Sequence, residues 1–541
     1  MSRATRLVLS VSTGILLSLA WLDLPGWILF IALVPLLLVD SFFVENKENY
    51  KSVSYWGHAF ISVFLWNSIT TWWIAHATVA GALLAITANS FVMSLVLWLG
   101  HIARRIYRKE LAYIALIVFW ISFEYLHFIW DVEWPWLNLG NGFANNIKMV
   151  QWYEYTGTLG GTLWILMVNI VSYNFIQDLR LTSTSKKIIK QGSYVLLTIC
   201  VPIYFSYKIY SNYLEKENPV DIVLVQPNID PYSEQYDSTA EEEKLNIFIQ
   251  LAESQTTKNT QLIIGPETLF ERWPDWNIAQ LEYNNIYRKL HDWILNHPKA
   301  DLIFGASTHT IYPSKESAST SARESNGTFF DVYNSAITIR QDGSTQIYHK
   351  SILVPGVEKM PFRKYLGFLN DVVFDLGGTT GSLGIQENPV NFNLKDSIQA
   401  APVICYESVF GEYLAKFIRE GAEIIVVITN DGWWRNTPGY RQHFSFSRLR
   451  AIETRRSIAR VANTGISGFI NQRGEISAKT EWWTPAVISG KINLNTELTF
   501  YVRHGEYIAR VALFTSSLLL LLLIVKGILL NKQNITFENR G

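Results

Sequence analysis

At 541 residues the chain is long enough for several domains, and its 46 basic residues are balanced by 46 acidic ones, so no basic excess points to nucleic acid. Hydrophobic residues make up 49% at a mean hydropathy of +0.12. They are unevenly spread: residues 1–214 and 508–530 carry long apolar runs while 215–505 is mixed and polar, which excludes a wholly soluble protein and predicts a membrane protein with one globular domain.

Runs long enough to cross a bilayer, roughly 17–25 apolar residues, fall at 7–22, 25–44, 55–75, 79–101, 111–130, 156–177, 192–210 and 508–530. The first imitates a signal peptide, with Arg3 and Arg6 ahead of it and Ser18 and Ala20 near its end. A second apolar run follows at once, so the pair reads as a retained hairpin. Arg3 and Arg6, then Lys47 and Lys51, then Arg104, Arg105, Arg108 and Lys109, then Arg180, Lys186, Lys187 and Lys190, and finally Lys526 and Lys532 fall on alternate loops, predicted to be cytoplasmic. The opposite loops, such as 23–26 and 131–146, are nearly free of Lys and Arg, and Trp134 and Trp136 read as an interfacial aromatic belt. The globular stretch after the seventh span is therefore predicted outside. In the fifth span Glu124, with His127 one turn on, is an intramembrane ionisable pair that reads either as glue between helices or as a substrate-related group. One span would anchor a domain, so eight spans predict a lipid-accessible cavity beneath it.

Between 215 and 505, strand character recurs at 221–227, 261–267, 301–307, 334–340, 401–408, 422–431, 456–465 and 466–474. Helical spacing appears at 241–255, 280–297 and 441–456. Alternating elements with near-continuous apolar strands predict α/β layers with buried sheets. The Ser/Thr-rich 314–325 and the Gly-rich 375–384, which lacks the Lys of a phosphate loop, read as loops.

Cysteine is used twice, at Cys200 in the seventh span and at Cys405 in "APVICYES". An unpaired thiol on the outer side is either buried and inert or kept for chemistry. Two more strand ends carry ionisable residues: Glu267 after "LIIGP" and Lys350 in "IYHKSILVPGVE". A carboxylate to take the thiol proton and an ammonium to stabilise an oxyanion would complete a nucleophilic site. Glu and Lys near strand ends are common in any soluble domain, so the residues alone leave the trio open. His443 in "RQHF" reads as a structural hydrogen-bonding residue, with a contact to the trio as its alternative.

With "LVQPNI" (224–229), "GPET" (265–268), "HKSILVPGVEKMPF" (349–362), "ICYESVFGE" (404–412) and the long "TNDGWWRNTPGYRQHFSFSRLRAIETRRSIARVANTGISG" (429–468) in this order, the chain resembles the nitrilase superfamily. With the spans and the "WPW" of the fifth loop added, the likeness extends over nearly the whole chain to the apolipoprotein N-acyltransferases. The resemblance implies a multi-span helical bundle with an extracytoplasmic nitrilase-like α-β-β-α sandwich. It divides the chain into seven transmembrane helices over 1–214, a catalytic domain over 215–505, and an eighth helix with a cytoplasmic tail over 506–541. It implies Glu267 as general base, Lys350 as oxyanion-stabilising cation and Cys405 as nucleophile. Glu358 matches a further carboxylate near the triad, Tyr406 and Glu407 match the residues after the cysteine, and Trp433, with Asn430 beside it, matches a family aromatic. Two positions depart from the pattern, Gly265 where Trp is common and Gly356 where the glycine is usually beside the glutamate, and both bear on lid shape and acyl-chain fit.

The implied reaction moves a fatty acyl chain from a phospholipid to the α-amino group of a lipoprotein's N-terminal diacylglyceryl-cysteine, by a ping-pong route through a Cys405 thioester. Its partners would be a membrane phospholipid donor and a diacylated lipoprotein acceptor, at a bacterial inner membrane with the domain facing the periplasm. It needs no cofactor, no metal and no nucleic acid. A membrane-tethered amidase hydrolysing a small amide would share the triad without needing the bundle, and a non-catalytic receptor or transporter would have no reason for the triad.

Overall fold

A computed structural model of the chain describes residues 1–181, 184–230, 241–271, 275–360, 362 and 382–538, with side chains described up to 529. Two compact units divide it: the first holds Met1–Trp72, Ala82–Ile209 and Glu506–Gly541, and the second holds Trp73–Gly81 and Tyr210–Gly505.

The first unit is helical. Six stretches are long and apolar enough to cross a membrane: Gly26–Glu45, Val79–Ile106, Lys109–Ile129, Tyr153–Arg180, Ser185–Asn212 and Tyr507–Leu529. The other two expected spans form helices, Arg3–Leu19 and Val53–Thr71, that do not reach that standard. The first has 17 residues. The second carries Ser62, Asn67, Thr70 and Thr71, each of which donates to a carbonyl one turn back, so its polar groups are satisfied within the helix at the expense of apolarity. These two helices pack closely: a Cβ on Gly14 would lie 2.6 Å from the Ser62 carbonyl oxygen, and Ser62 Oγ donates to Ser10 O at 2.9 Å.

The loop read as an interfacial belt is folded inward instead. Trp136, Leu137, Leu139 and Phe143 are all buried, and Trp134 stacks on Trp136 with ring centroids 5.6 Å apart. Glu124 is what ties the loop down, accepting from Leu139 N at 2.8 Å, Trp120 Nε1 at 2.8 Å and Thr162 Oγ1 at 2.6 Å. His127 accepts instead from Trp130 Nε1 at 3.2 Å. The two ionisable residues share a helix and bond to different groups, which favours the reading of Glu124 as glue.

The second unit is built on strands β1 Pro219–Gln226, β2 Leu262–Ile264, β3 Asp301–Tyr312, β4 Arg323–Ser325, β5 Thr328–Ile339, β6 Thr345–His349, β7 Phe392–Asn393, β8 Gln399–Ile404, β9 Ile424–Thr429, β10 Ile458–Ala462, β11 Gly468–Ile470, β12 Ile476–Lys479 and β13 Ala486–Asn493. They form two sheets in the orders β13-β1-β2-β3-β5-β4, with β6 beside β5, and β12-β11-β10-β9-β8-β7. Each has a parallel centre, β1-β2-β3 in one and β8-β9-β10 in the other. The sheets face each other, β1 against β10 and β5 against β8. Helix Glu241–Gln255 covers β1 and β13 on the outside of the first sheet, and helix Gly411–Arg419 covers β8 on the outside of the second.

This α-β-β-α sandwich buries both faces of its parallel strands, which is why they read as continuous apolar runs. In β1 the two faces still alternate: Val223 and Val225 join Leu245, Phe248 and Leu290 in the outer core, leaving Ile222 and Leu224 to the opposite face. Strands β4, β6, β7, β12 and β13 lie outside the segments expected to be strands. The Gly-rich 375–384 falls mostly outside the described residues.

Candidate active site

The three ionisable residues singled out in the sequence stand where strands end. Glu267 follows β2, Cys405 follows β8 and Lys350 follows β6, so the site sits at the carboxyl ends of the parallel strands β2 and β8, the usual place for ligands in parallel sheets. The chain around Glu267 is set by close backbone approach. A Cβ on Gly305 in β3 would lie 2.6 Å from both Glu267 Cα and Thr268 N, and with glycine there the two backbones bond, Gly305 N to Pro266 O and Leu269 N to Gly305 O, both at 2.9 Å.

Cys405 opens the 3-10 turn Cys405–Val409 with φ +49°, a left-handed conformation that is strained for a residue with a Cβ. Neighbouring groups hold it there. Glu407 Oε2 accepts from Ile404 N at 2.8 Å, and Ser408 Oγ donates to Cys405 O at 2.7 Å.

The side chains converge. Glu267 Oε1 lies 3.3 Å from Lys350 Nζ and accepts from Asn334 Nδ2 at 2.7 Å. Glu267 Oε2 accepts from Asn430 N at 2.8 Å, and the Cys405 thiol is close enough for each group to shift the other's titration. Glu358 Oε1 is 2.8 Å from Lys350 Nζ and 3.1 Å from Asn334 Nδ2, while its Oε2 accepts from Val354 N at 2.8 Å. One ammonium is thus shared by two carboxylates, with Asn334 bridging them.

Electrostatics follow from that arrangement. Burial, and then the charge of Glu358, push the Glu267 carboxyl up against the pull of Lys350. Burial alone would lower the Lys350 ammonium, but Glu358 and Glu267 raise it well above the ordinary lysine value, so it stays charged. Burial, and then Glu267, push the Cys405 thiol well up, so it rests protonated.

The remaining expected residues take different places. Glu407 is fully buried and accepts from Tyr348 Oη at 2.6 Å, Ser351 N at 2.7 Å and Ile404 N at 2.8 Å, which makes it a brace between the Lys350 and Cys405 turns. Asn430 reaches Glu267 through its backbone N–H and not its amide. Tyr406 packs edge-on to Phe410 at 5.2 Å. Trp433 is half-buried in the turn Asp431–Trp434, where it is Trp434 that lies 5.5 Å from His443 and 4.7 Å from Trp73.

Gly356 has φ +81° in open space and makes the turn that returns Glu358 N to Val354 O at 2.9 Å. Gly265 bears on core packing and not on a lid: a Cβ there would lie 2.9 Å from Phe248 and 3.2 Å from Phe304. The sequence reading missed Asn334, which lies inside an ordinary strand, and Tyr348. It also missed Asp431 and Arg460, which join His443 in a buried cluster.

Cys405, Asp431 and His443 offer ligand atoms within 4.8 Å of one another. They do not suit a cation. Asp431 is ion-paired to Arg460 at 2.8 Å, and the same guanidinium lies 3.0 Å from His443 Nδ1, so a metal would meet a fixed positive charge and ligands already engaged.

Comparison with known proteins agrees with both units. Among solved structures, Nit3 of Saccharomyces cerevisiae, a member of branch 10 of the nitrilase superfamily, is similar at a TM-score of 0.36 and 15% identity, over 51% of this chain and 90% of that one. The family model for carbon-nitrogen hydrolase matches residues 224–498, and that for the apolipoprotein N-acyltransferase N-terminal domain matches residues 13–171. The apolipoprotein N-acyltransferase of Geobacter metallireducens is 25% identical, over 93% of this chain and 92% of its own. That of Chlorobaculum tepidum is 30% identical, over 96% of both chains. Because that likeness runs through helices and sandwich alike, this chain belongs to the apolipoprotein N-acyltransferase family, its sandwich being the carbon-nitrogen hydrolase part.

Proposed function

We propose that this multi-pass membrane protein transfers a fatty acyl chain from a phospholipid to the α-amino group of the diacylglyceryl-cysteine that begins a lipoprotein, through a thioester on Cys405. The observation that carries the reading is the Glu267 carboxylate, set between a thiol to deprotonate and an ammonium held charged by a second carboxylate.

In the first half-reaction Glu267 takes the S–H proton as Sγ attacks the ester carbonyl. The carbon–sulfur bond forms while the carbonyl π pair moves to oxygen, and Lys350 with the backbone N–H of Tyr406 stabilises that oxyanion. Collapse breaks the ester bond, and the departing lysophospholipid oxygen takes the proton from Glu267. In the second half the lipoprotein amine attacks the thioester and Glu267 accepts its proton. The carbon–sulfur bond then breaks and the proton returns to sulfur.

The resting charges suit this order. A thiol pushed up by burial is not a thiolate waiting for stray electrophiles, and a carboxylate pushed up by burial is a stronger base for it. Glu358 and Asn334 hold Lys350 and Glu267 in place.

The basic residues on alternate loops support an inner-membrane orientation with 215–505 in the periplasm. An impermeant thiol reagent on intact spheroplasts is expected to reach cysteines introduced at 317 and 498 but not at 107 and 187; labelling at 107 or 187 would reverse the orientation. The chemistry is tested by incubating full-length protein with phospholipid alone and measuring its intact mass. One added acyl group on wild type and none on Cys405→Ala is the expected result, and an unmodified wild type would remove the thioester.

A further inference from the structure

A second buried cluster lies against Cys405, and the chemistry above does not use it. Asp431 Oδ1 is 2.8 Å from His443 Nδ1, and His443 Nε2 is 2.9 Å from Ser408 Oγ. That is the order and spacing of the acid–imidazole–hydroxyl relay that activates serine nucleophiles. Ser408 is not placed to be one. Its side chain is fully buried, and its hydroxyl donates at 2.7 Å to the carbonyl oxygen of Cys405, to which His443 Nε2 also approaches at 3.2 Å.

The relay is anchored at its far end. Arg460 donates to Asp431 Oδ2 at 2.8 Å and Thr429 Oγ1 to Oδ1 at 2.9 Å. Although burial opposes it, Arg460 and then His443 hold the Asp431 carboxyl down at about 2. Burial and Arg460 push His443 below its ordinary value, and because the Ser408 proton goes to Cys405 O, the N–H of the neutral ring is on Nε2 and donates to Ser408 Oγ while Nδ1 accepts from Arg460 at 3.0 Å. The string of hydrogen bonds therefore runs from a fixed ion pair to one backbone carbonyl.

That carbonyl belongs to the peptide between Cys405 and Tyr406. In a planar trans peptide the C=O and N–H point in opposite directions, so fixing the Cys405 oxygen fixes the direction of the Tyr406 N–H. A turn of this peptide would change ψ of Cys405 and φ of Tyr406 and swing the N–H away, and the hydrogen bonds to the Cys405 oxygen oppose it. We propose that Ser408 and His443, backed by Asp431 and Arg460, are positioning residues that hold the Cys405–Tyr406 peptide so that its N–H faces the oxyanion, an inference that rests on the acyl-transfer reading above. They act through the backbone and touch no reacting atom.

The test compares two reactions of the same thiol in full-length protein. Alkylation of Cys405 by iodoacetamide is a displacement at saturated carbon and needs no oxyanion donor, whereas acylation by phospholipid does. Losing one oxyanion donor costs about 10²–10³ in rate, so a misdirected donor in Ser408→Ala is expected to slow acyl-enzyme formation by about tenfold or more, with alkylation within about twofold of wild type. Unchanged acylation overturns the proposal, and so does an equal fall in both rates, because that would mean the thiol itself had moved.

If the alanine variant does not accumulate, the isosteric pair Ser408→Thr and Ser408→Val reads the same ratio. The hydroxyl-bearing variant is expected to acylate about tenfold faster at equal alkylation, and equal acylation overturns the role. A wild type that forms no acyl-Cys405 would sink the acyl-transfer reading instead, before any variant is compared.

Discussion

Two carboxylates flank Cys405, and they show what burial alone does and does not do. Glu407 and Glu267 are both buried, and in both cases burial pushes the carboxyl up, for Glu407 to about 7. Glu407 accepts its hydrogen bonds from neutral donors, three backbone N–H groups and a tyrosine, and the group is a strut. Around Glu267 the partners are a cation, an amide, one backbone N–H and a thiol. Of these the thiol has a proton to exchange, and the cation stands where charge would develop. On the proposed function, the same buried side chain is structural on one side of the cysteine and chemical on the other because of its neighbours.

The comparison breaks first at the chemical side. Cys405→Ala and Glu267→Gln are each expected to lower phospholipid-to-lipopeptide transfer by about 10⁴-fold or more, measured as lysophospholipid release. Lys350→Arg is expected to be poor too, since a planar guanidinium does not replace a compact ammonium between two carboxylates. Near-normal turnover in Cys405→Ala would erase the distinction between the two sides.

On the structural side Glu407→Gln keeps the shape but turns an N–H₂ toward either Ile404 N or the Ser351 and Tyr348 donors. A buried acceptor lost in this way is expected to cost about 2–4 kcal/mol, read as an earlier unfolding transition in denaturant. Unchanged stability would mean that Glu407 is not the brace.

A finer test uses pH. In the proposed mechanism acyl-enzyme formation needs Glu267 ionised, so its rate is expected to fall on the acid side as Glu267 takes up a proton. Burial and the Glu358 charge raise that carboxyl, which places the acid limb above the ordinary glutamate range. Removing the like charge in Glu358→Gln is expected to shift the limb to lower pH, and a shift upward or none would assign the limb to another group. The smallest effect is expected from Gly265→Ala, whose Cβ meets Phe248 at 2.9 Å. Overpacking there is expected to cost about 1–3 kcal/mol with the triad intact.

Much of this was legible in the sequence. The parallel strands showed themselves because both faces are buried, and helix Glu241–Gln255 appeared at the residues its periodicity marked. Glu267, Lys350 and Cys405 carried motif context at strand ends, and the structure brings them together. What escaped had no local signal. Asn334 sits mid-strand in β5, and only the pairing of β5 with β3 and β6 carries it to the two glutamates. Asp431, His443 and Arg460 come from three elements, so their cluster exists only after folding.

In the helical unit the error was about context. Trp136 and the rest of the 131–146 loop are polar or aromatic enough to suit an interface, yet Glu124 draws the loop inward through a backbone N–H that composition does not reveal. Residues Trp73–Gly81 joined the second unit for a similar reason, since Trp73 packs on Gly439 and Trp434 far along the chain.

The central claim, that Cys405 holds an acyl group until an amine arrives, is tested most directly by counting lysophospholipid. Cys405 is nearly buried, at 9% exposure, so a thioester formed there is shielded from bulk water. With phospholipid alone the protein is expected to release about one lysophospholipid per enzyme, the burst of a ping-pong mechanism, and then stop. Turnover should resume when a diacylated lipopeptide with a free N-terminus is added, and an N-acetylated lipopeptide should not restart it. Steady release of free fatty acid without any acceptor would contradict the account and make the protein a hydrolase.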